Sequence, residues 1–351
     1  MKRALAGILS LLFGAISSVH AAEESVVVEA VKDFPEACLP VRQATLPFEW
    51  LHGQMIVAVT VNHHPLHFAV DTGAVFSAID GKVAKSIGLG HGPLGANFTI
   101  RDSGGAEIED IVRIDEIRFG EAIRTGSLTL VSAALPRGED GILAPDLLRN
   151  FDVEFDPAHQ VINLYKPHPC LDHVVFWTSD FTRIHATRTD FDQMRIPVSI
   201  DSAPVRGVLD TGVAHTFIGV DATTAALGSA GLGPLHHMAA ENGGELSGNE
   251  VKLDSFLIGN LNLVGPVVLA NAHAPGWQFD YFQANPLIEA PGGSFNETPN
   301  GSLNNVGSFN GVASPRAARV DKSQVLIGND ILQNLHVLVD YRFWDIYVSK
   351  R

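Results

Sequence analysis

Residues 67–80 read HFAVDTGAVFSAID, and residues 206–219 read RGVLDTGVAHTFIG. In both stretches a short apolar run ends in Asp-Thr-Gly, and a second apolar run follows. Four to eight apolar residues bounded by turn residues are typical of a buried strand, and glycine lets the chain turn sharply beside the carboxylate. An aspartate between two apolar runs is costly to bury alone. We therefore predict that Asp71 and Asp210 need a partner, and that each copy supplies one to the other.

The two stretches belong to an internal repeat. Asp71 and Asp210 are 139 positions apart. The same offset aligns further pairs along the chain: Gln54-Met55 with Gln193-Met194, Gly104-Gly105 with Gly243-Gly244, and Gly120 with Gly259. Asp146 aligns with Asp330 at an offset of 184, so the second copy is 45 residues longer. We place the extra residues at about 283–321, a stretch rich in Gly, Asn, Ser and Pro that is typical of a long loop. The sequence leaves open whether this loop contacts a substrate or has no function.

Alternating and continuous apolar runs predict that strands dominate both copies. The clearest predicted elements are strands at 55–61, 127–131 and 194–200, hairpins at 151–165 and 335–348, and short helices at 146–150 and 330–334. The predicted fold is all-β, with two homologous β-barrel lobes related by a pseudo-two-fold axis and one short helix in each lobe.

The chain divides into five predicted segments. In order they are a signal peptide at 1–21, an N-terminal segment at 22–48, a first lobe at 49–166, a linker at 167–191 and a second lobe at 192–351. Residues 1–21 have a positively charged start, a short apolar core and small residues at the end, which indicate export. We expect a periplasmic or secreted protein without a membrane span.

Composition and charge exclude some classes of partner. The chain has 351 residues, a formal net charge of −15 and 46% hydrophobic residues. Such an acidic chain is a poor ligand for nucleic acid or for an anionic membrane surface. The chain has two cysteines, Cys38 and Cys170, which stand before and after the first lobe. In an oxidising compartment we expect them to form a disulfide, although two buried free thiols are the alternative.

Two facing carboxylates carry a specific chemistry. Two aspartates a few ångströms apart cannot both ionise easily, so they share one proton. One carboxylate can then act as a general base on a water molecule while the other protonates or polarises a carbonyl oxygen. This chemistry needs neither a metal nor a cofactor. Adjacent histidines at 63–64 and 236–237 point to opposite faces of a strand and lack zinc spacing, so we expect no metal site there.

The duplicated Asp-Thr-Gly resembles the motif of the retropepsin-like aspartic proteases, in a tandem form within one chain. The hydrophobic run before Gly328 and the short helix after it are similar to a further element of that family. The resemblance implies the following roles: a catalytic pair at Asp71 and Asp210, crossed hydrogen bonds at Thr72 and Thr211, close approach at Gly73 and Gly212, and flaps over the cleft at Gly104-Gly105 and Gly243-Gly244. The chain departs from the pattern at Ala144, which stands where the second copy has Gly328. Ala74 and Val213 also lack the hydroxyl that pepsin-like enzymes carry after Asp-Thr-Gly.

The sequence favours an aspartic endopeptidase that cleaves polypeptides in a cleft between its lobes and works as a monomer. The alternative is a non-catalytic protein of the same fold that binds an extended peptide by edge pairing. A third interpretation is that each lobe pairs with another chain.

Overall fold

The computed structural model describes residues 34–94, 100–101, 107–108, 110–135, 138–167, 169–170, 173–188, 192–219, 223, 233–239, 245–271 and 324–351. The predicted signal peptide, the predicted insertion at 283–321 and the four glycines of the candidate flaps lie outside these residues. Within the described ranges, no helix is long and apolar enough to cross a membrane.

The first half of the chain folds mainly into strands. These are β1 Arg42–Leu51, β2 Gln54–Val61, β3 His64–Val70, β4 Ala78–Asp80, β5 Gly90–Pro93, β6 Ile100–Arg101, β7 Glu107–Ile108, β8 Asp110–Phe119, β9 Ala122–Ala133, β10 Gly141–Leu143, β11 Asp152–Asp156 and β12 Val161–Tyr165. Short helices are α1 Gly81–Ser86 and α2 Pro145–Leu148, and a 3-10 turn precedes β1 at Glu36–Cys38.

The second half repeats this pattern. Its strands are β13 Thr182–His185, β14 Thr187–Arg188, β15 Met194–Ile200, β16 Ala203–Leu209, β17 Phe217–Gly219, β18 Leu235–Ala239, β19 Glu245–Lys252, β20 Ser255–Ile258, β21 Leu261–Val264, β22 Val267–Asn271, β23 Gln324–Ile327, β24 Leu335–Asp340 and β25 Asp345–Lys350. Helix α3 spans Asn329–Leu332.

The first lobe is a closed barrel. Its strands follow the order β2-β3-β10-β4-β9-β8, and β8 returns to pair with β2. Alternate side chains of these strands point inward, as the period of two requires, and Phe68, Ile79, Phe119 and Leu130 are fully buried among them. Closure removes the free strand edges of this lobe's core.

The second lobe has the same strand order around its own Asp-Thr-Gly. In the first lobe β3 runs parallel to β10, with Val70 opposite Leu143, and in the second β16 runs parallel to β23, with Leu209 opposite Ile327. Strands β10 and β23 also pair antiparallel with the strand that follows Asp-Thr-Gly in their own lobe, which is β4 in the first lobe and β17 in the second. The repeat in the sequence is therefore a repeat of topology.

A strand pair on the repeat axis joins the two lobes. Strand β11 runs antiparallel to β24, with Glu154 opposite Leu338. These two residues are 184 positions apart, which is the offset between the ends of the two copies. A residue that pairs with its own repeat equivalent must lie on the two-fold axis, so the axis passes through this pair. The predicted all-β fold of two related lobes is confirmed.

Three local features differ from the prediction. The first lobe contains an additional helix, α1, whose first turn is capped by Asp80 Oδ1, which accepts hydrogen bonds from the backbone N–H of Lys82 and Val83. Strand β1 begins at Arg42, before the predicted start of the lobe. The predicted linker contains β13 and β14, and β13 extends the central sheet by pairing with β25. Of these elements, β13 depends on a partner strand more than 150 residues away in the chain.

A disulfide ties the ends of the first lobe together. Cys38 and Cys170 are bonded, with their Cα atoms 5.7 Å apart. The bond joins the segment before β1 to the segment after β12, two strands that pair with each other. In the chain-entropy account, closing a loop of this length stabilises a fold by about 4–5 kcal/mol.

A buried carboxylate lies where the lobes meet. Glu154 is 3% exposed. Its Oε2 accepts hydrogen bonds from Asn163 Nδ2 at 2.7 Å and from Tyr165 Oη at 2.9 Å, and its Oε1 lies 2.8 Å from His336 Nε2 of the second lobe. Burial, and next the Glu154 carboxylate, raise the pKa of Tyr165, so its hydroxyl remains a donor. Trp177 stacks on His336 with the ring centroids 3.9 Å apart, which closes the cluster on its other side.

We expect Glu154→Leu to lower the free energy of unfolding by about 3–5 kcal/mol, because removing the carboxylate leaves three buried groups without their partner. Leucine suits the strand, since Leu338 occupies the equivalent position. Urea denaturation at pH 7 measures the change. Glu49→Leu, on the exposed side of β1, is the control and should change stability by less than about 0.5 kcal/mol. Equal effects of the two substitutions would contradict the role of the cluster.

Candidate active site

The two Asp-Thr-Gly loops begin at the ends of equivalent strand pairs. The backbone N–H of Asp71 donates to the carbonyl of Leu143 at 3.0 Å, and that of Asp210 donates to the carbonyl of Ile327 at 3.1 Å. These bonds continue the parallel pairing of β3 with β10 and of β16 with β23. Asp71 is 8% exposed and Asp210 is 6% exposed. Each carboxylate thus lies where the hydrophobic run of its strand ends.

The threonines of the two loops hold each other across the lobe boundary. The N–H of Thr72 donates to Thr211 Oγ1 at 3.0 Å, and the N–H of Thr211 donates to Thr72 Oγ1 at 3.1 Å. Each hydroxyl then donates to the strand end of the opposite lobe, Thr72 to Leu209 and Thr211 to Val70, both at 2.7 Å. All four bonds are buried. The two loops therefore form one rigid, symmetric unit.

The glycines let this unit close. A Cβ atom on Gly73 would overlap the carboxyl group of Asp210, and a Cβ on Gly212 would overlap the carboxyl group of Asp71. Each carboxyl group thus lies directly against the glycine of the opposite loop, which brings Asp71 and Asp210 to the same place between the lobes. Any side chain at either glycine would push the carboxylates apart.

Backbone N–H groups face the carboxylates. Asp71 Oδ1 accepts hydrogen bonds from the N–H of Gly73 at 2.9 Å and of Ala74 at 2.8 Å. Asp210 Oδ1 accepts one from the N–H of Gly212 at 3.0 Å. Hydrogen bonds to a carboxylate favour its ionised form. Burial disfavours the ionised form. The backbone hydrogen bonds therefore offset part of the cost of burying a negative charge at this site.

Each loop is tied to the short helix of its own lobe by a hydroxyl residue that the sequence analysis missed. Ser77 donates through its N–H and its Oγ to Asp146 Oδ1, at 3.0 and 2.6 Å. Thr216 donates to the carboxylate of Asp330 in the same way, at 2.9 and 2.6 Å. Ser77 and Thr216 are 139 positions apart, so the repeat offset was the signal that could have found them.

The departure at Ala144 has a structural basis. A Cβ on Gly328 would collide with the carbonyl group of His215 and the backbone nitrogen of Thr216. In the first lobe Ala144 is fully buried and its N–H donates to Ser77 Oγ at 2.9 Å. In the second lobe the backbone of His215 and Thr216 fills the space that a Cβ would need, so only glycine fits at position 328.

The candidate flaps are described only up to their tips. Strands β6 and β7 pair Ile100 with Ile108, and β18 and β19 form a longer hairpin from Leu235 to Asn249. Gly104, Gly105, Gly243 and Gly244 lie outside the described residues.

Metal-binding side chains do not cluster in the described part of the chain, where no group of three or more His, Cys, Asp or Glu could hold an ion. His63 and His64 are exposed at the turn between β2 and β3. His236 lies 2.9 Å from Glu250 on the second lobe.

The carboxyl of Asp146 is the perturbed acid beside the loops. Burial raises the pKa of Asp146 to about 6, against the hydrogen bonds from Ser77 and the charge of Arg149, which lower it. A raised pKa in the folded state means that the folded protein keeps a proton that the unfolded chain releases. Asp146 therefore contributes most stability below about pH 4, and that contribution is lost as pH rises towards about 6.

We expect Thr72→Val and Thr211→Val each to lower the free energy of unfolding by about 1–3 kcal/mol, because each leaves a buried N–H and a buried carbonyl without a partner. The symmetry of the bonds predicts similar losses, measured by urea denaturation. Thr125→Val, at an exposed position on β9, is the control. A loss in one lobe only would contradict the crossed arrangement.

We expect Asp146→Asn to flatten the fall of stability between pH 4 and 6. Between pH 4 and pH 7 the free energy of unfolding of the variant should rise by about 1–3 kcal/mol relative to that of wild type. The lower value is expected because the half-buried side chain contacts solvent. Thermal or urea unfolding across this range measures the difference. Asp115→Asn, on the surface, controls for the change in net charge. A difference that does not vary with pH would contradict the assignment.

A comparison with protein families relates this geometry to known proteins. The model of a family described as gag-polyprotein putative aspartyl protease matches residues 57–150, which include the first Asp-Thr-Gly and most of the first barrel. The comparison with curated proteins found no match. This match over residues 57–150 supports the resemblance to the retropepsin-like aspartyl proteases that the duplicated motif carries.

Proposed function

We propose that the protein is an aspartic endopeptidase in which Asp71 and Asp210 act together on one water molecule. The observation that carries this proposal is the crossed contact of each carboxyl group with the glycine of the opposite loop. Two buried aspartates held in this way by crossed threonines are suited to sharing one proton.

The chemistry follows from that shared proton. The ionised carboxylate takes a proton from the water molecule as the water oxygen attacks the carbonyl carbon of the peptide bond. The protonated carboxyl group donates its proton to the carbonyl oxygen. The tetrahedral intermediate then collapses, the C–N bond breaks, and the leaving nitrogen receives a proton from the pair. The rigid threonine unit contributes by keeping both carboxyl groups in place through these transfers.

The proposed substrate is a polypeptide in an extended conformation. The hairpins β6–β7 and β18–β19 arise from equivalent places in the two lobes, and each follows the Asp-Thr-Gly loop of its own lobe in sequence. An extended peptide can pair with such strands through its backbone. The alternative is a protein that binds a peptide through the same surfaces without cutting it. In that case the two carboxylates would take no part in a reaction.

We also propose that the protein acts as an exported monomer. The Cys38–Cys170 disulfide supports an oxidising compartment, such as a periplasm or an extracellular space. The crossed bonds between Thr72 and Thr211 are made within one chain, which supports a complete site in each molecule. Activity per molecule that stays constant on dilution would agree with this, and activity that vanishes would favour pairing between chains.

We expect Asp71→Asn and Asp210→Asn each to reduce cleavage of an unfolded protein by at least about 100-fold across pH 3–7, because each removes a group that moves a proton. Fragment release measured by gel and mass spectrometry reports the rate. Asp115→Asn, on the exposed surface, should cleave like wild type.

The outcomes separate the two functions. Cleavage that persists in both variants would remove these aspartates from the mechanism. A wild-type protein that binds the unfolded substrate but releases no fragments at any pH would favour the non-catalytic alternative.

A further inference from the structure

Two buried glutamines reach across the lobe boundary to the active-site loops. Gln54 Nε2 donates to the carbonyl oxygen of Gly212 at 2.6 Å, and Gln193 Nε2 donates to the carbonyl oxygen of Gly73. Gln54 is 4% exposed and Gln193 is 1% exposed. They are 139 positions apart, so they occupy the same place in the repeat. We propose that Gln193 is a positioning residue that orients Asp71 of the opposite lobe through the Gly73 peptide, and that Gln54 holds the equivalent Gly212 peptide of the other loop.

The contact of Gln193 leads directly to a carboxylate. The carbonyl of Gly73 and the N–H of Ala74 belong to one planar peptide unit. The amide of Gln193 holds the oxygen of this unit, and the N–H at its other side donates to Asp71 Oδ1 at 2.8 Å. Fixing the oxygen therefore fixes the direction of the N–H. A donor on the carbonyl also polarises the unit and strengthens the bond that its N–H makes.

The turn that carries Gln193 is anchored to the first lobe. Asp192 precedes it with a positive φ of 62°, and its buried carboxylate pairs with Arg149 at the end of α2. Arg188 Nη2 lies 2.6 Å from the other oxygen of Asp192. Two arginines thus fix the backbone from which the glutamine extends, and one of them comes from the lobe that the glutamine orients.

The turn that carries Gln54 is anchored to the second lobe by different residues. Gly53 precedes it with a positive φ of 80°, and its Cβ position is occupied by Ala214. Asn329 Nδ2 donates to the carbonyl of Gly53 at 2.8 Å and to the carbonyl of Thr211 at 2.7 Å. The same relation between glutamine and opposite loop is therefore kept by unlike supports, which points to the glutamine contact as the shared requirement.

The catalytic consequence rests on the proposed endopeptidase function. When the Gln193 amide is lost, the Gly73–Ala74 peptide is free to tilt, and the hydrogen bond from the Ala74 N–H to the Asp71 carboxylate weakens. A weaker bond to the ionised form moves the titration of the aspartate pair to higher pH. Because Gln193 acts on Asp71 and not on the hairpins proposed to pair with the peptide, the loss should affect the chemical step more than affinity.

The test uses Gln193→Met, which keeps the length of the side chain and removes its donor. We expect kcat to fall about 10-fold or more with KM within about twofold, and the acidic limb of the kcat profile to move up by about 0.5–1 pH unit. Gln43→Met, at an exposed position on β1, is the matched control and should change none of these. A variant that lowers kcat without moving the pH profile would overturn the positioning role.

A second readout separates this inference from the proposed function. Titration of the aspartate carboxyl carbons by NMR in labelled protein reports the pair directly. If wild type cleaves nothing but the carboxyl titration of Asp71 moves up in Gln193→Met, the positioning role stands and the endopeptidase proposal fails. If wild type cleaves and neither the titration nor the pH profile moves, the positioning role is overturned.

A measurement on the wild-type protein covers the case in which the variants do not fold. The side-chain amide protons of Gln193 and the backbone amide proton of Ala74 should exchange slowly with solvent, because both are held between the lobes. Fast exchange of the Gln193 amide in folded protein would overturn the inference.

Discussion

The crossed hydrogen bonds of Thr72 and Thr211 are the constraint on which the rest of the structure depends. Each hydroxyl accepts from the other loop and donates to the opposite strand end, so neither lobe can complete its own loop without the other. The carboxyl groups sit one residue away and are positioned by the same backbone. Burying two aspartates in this seam is acceptable because the backbone supplies N–H donors to them. The lobe interface and the candidate active site are therefore one structure.

Fusion of the two copies in one chain has allowed that interface to become asymmetric. On a two-fold axis between identical chains a residue meets its own copy, and two buried glutamates would repel each other there. Here Glu154 meets Leu338, and the single carboxylate can take hydrogen bonds from both sides. The supports of the two crossing glutamines have diverged in the same way, with Asp192 in one lobe and Gly53 in the other. The threonine and glutamine contacts with the Asp-Thr-Gly loops have stayed symmetric, whereas the residues that support them have diverged.

Structural features that repeat along the chain, and features that depend on neighbouring residues, could be predicted from the sequence. The apolar runs before Asp71 and Asp210, the matching hairpins and the common offset predicted two related β lobes, and the family match over residues 57–150 agrees with the first of them. Helix α1 was missed because its six residues lack a long apolar period and depend on the Asp80 cap. Strand β13 was taken for linker because its partner, β25, lies more than 150 residues away. Gln54 and Gln193 were recognised as repeat equivalents, but their amides bond across the lobes, and no local pattern encodes such a contact.

The distribution of these bonds along the axis bears on how a substrate reaches the site. Separating the lobes would break the β11–β24 pairing, the four threonine bonds, the two glutamine bonds and the Glu154 cluster together. At about 0.5–1.5 kcal/mol for each hydrogen bond, and more for the buried carboxylate, that opening would consume most of the stability of a typical domain. Movement of the β6–β7 and β18–β19 hairpins breaks none of these contacts. If the proposed function holds, a polypeptide would therefore have to reach the carboxylates without separation of the two lobes.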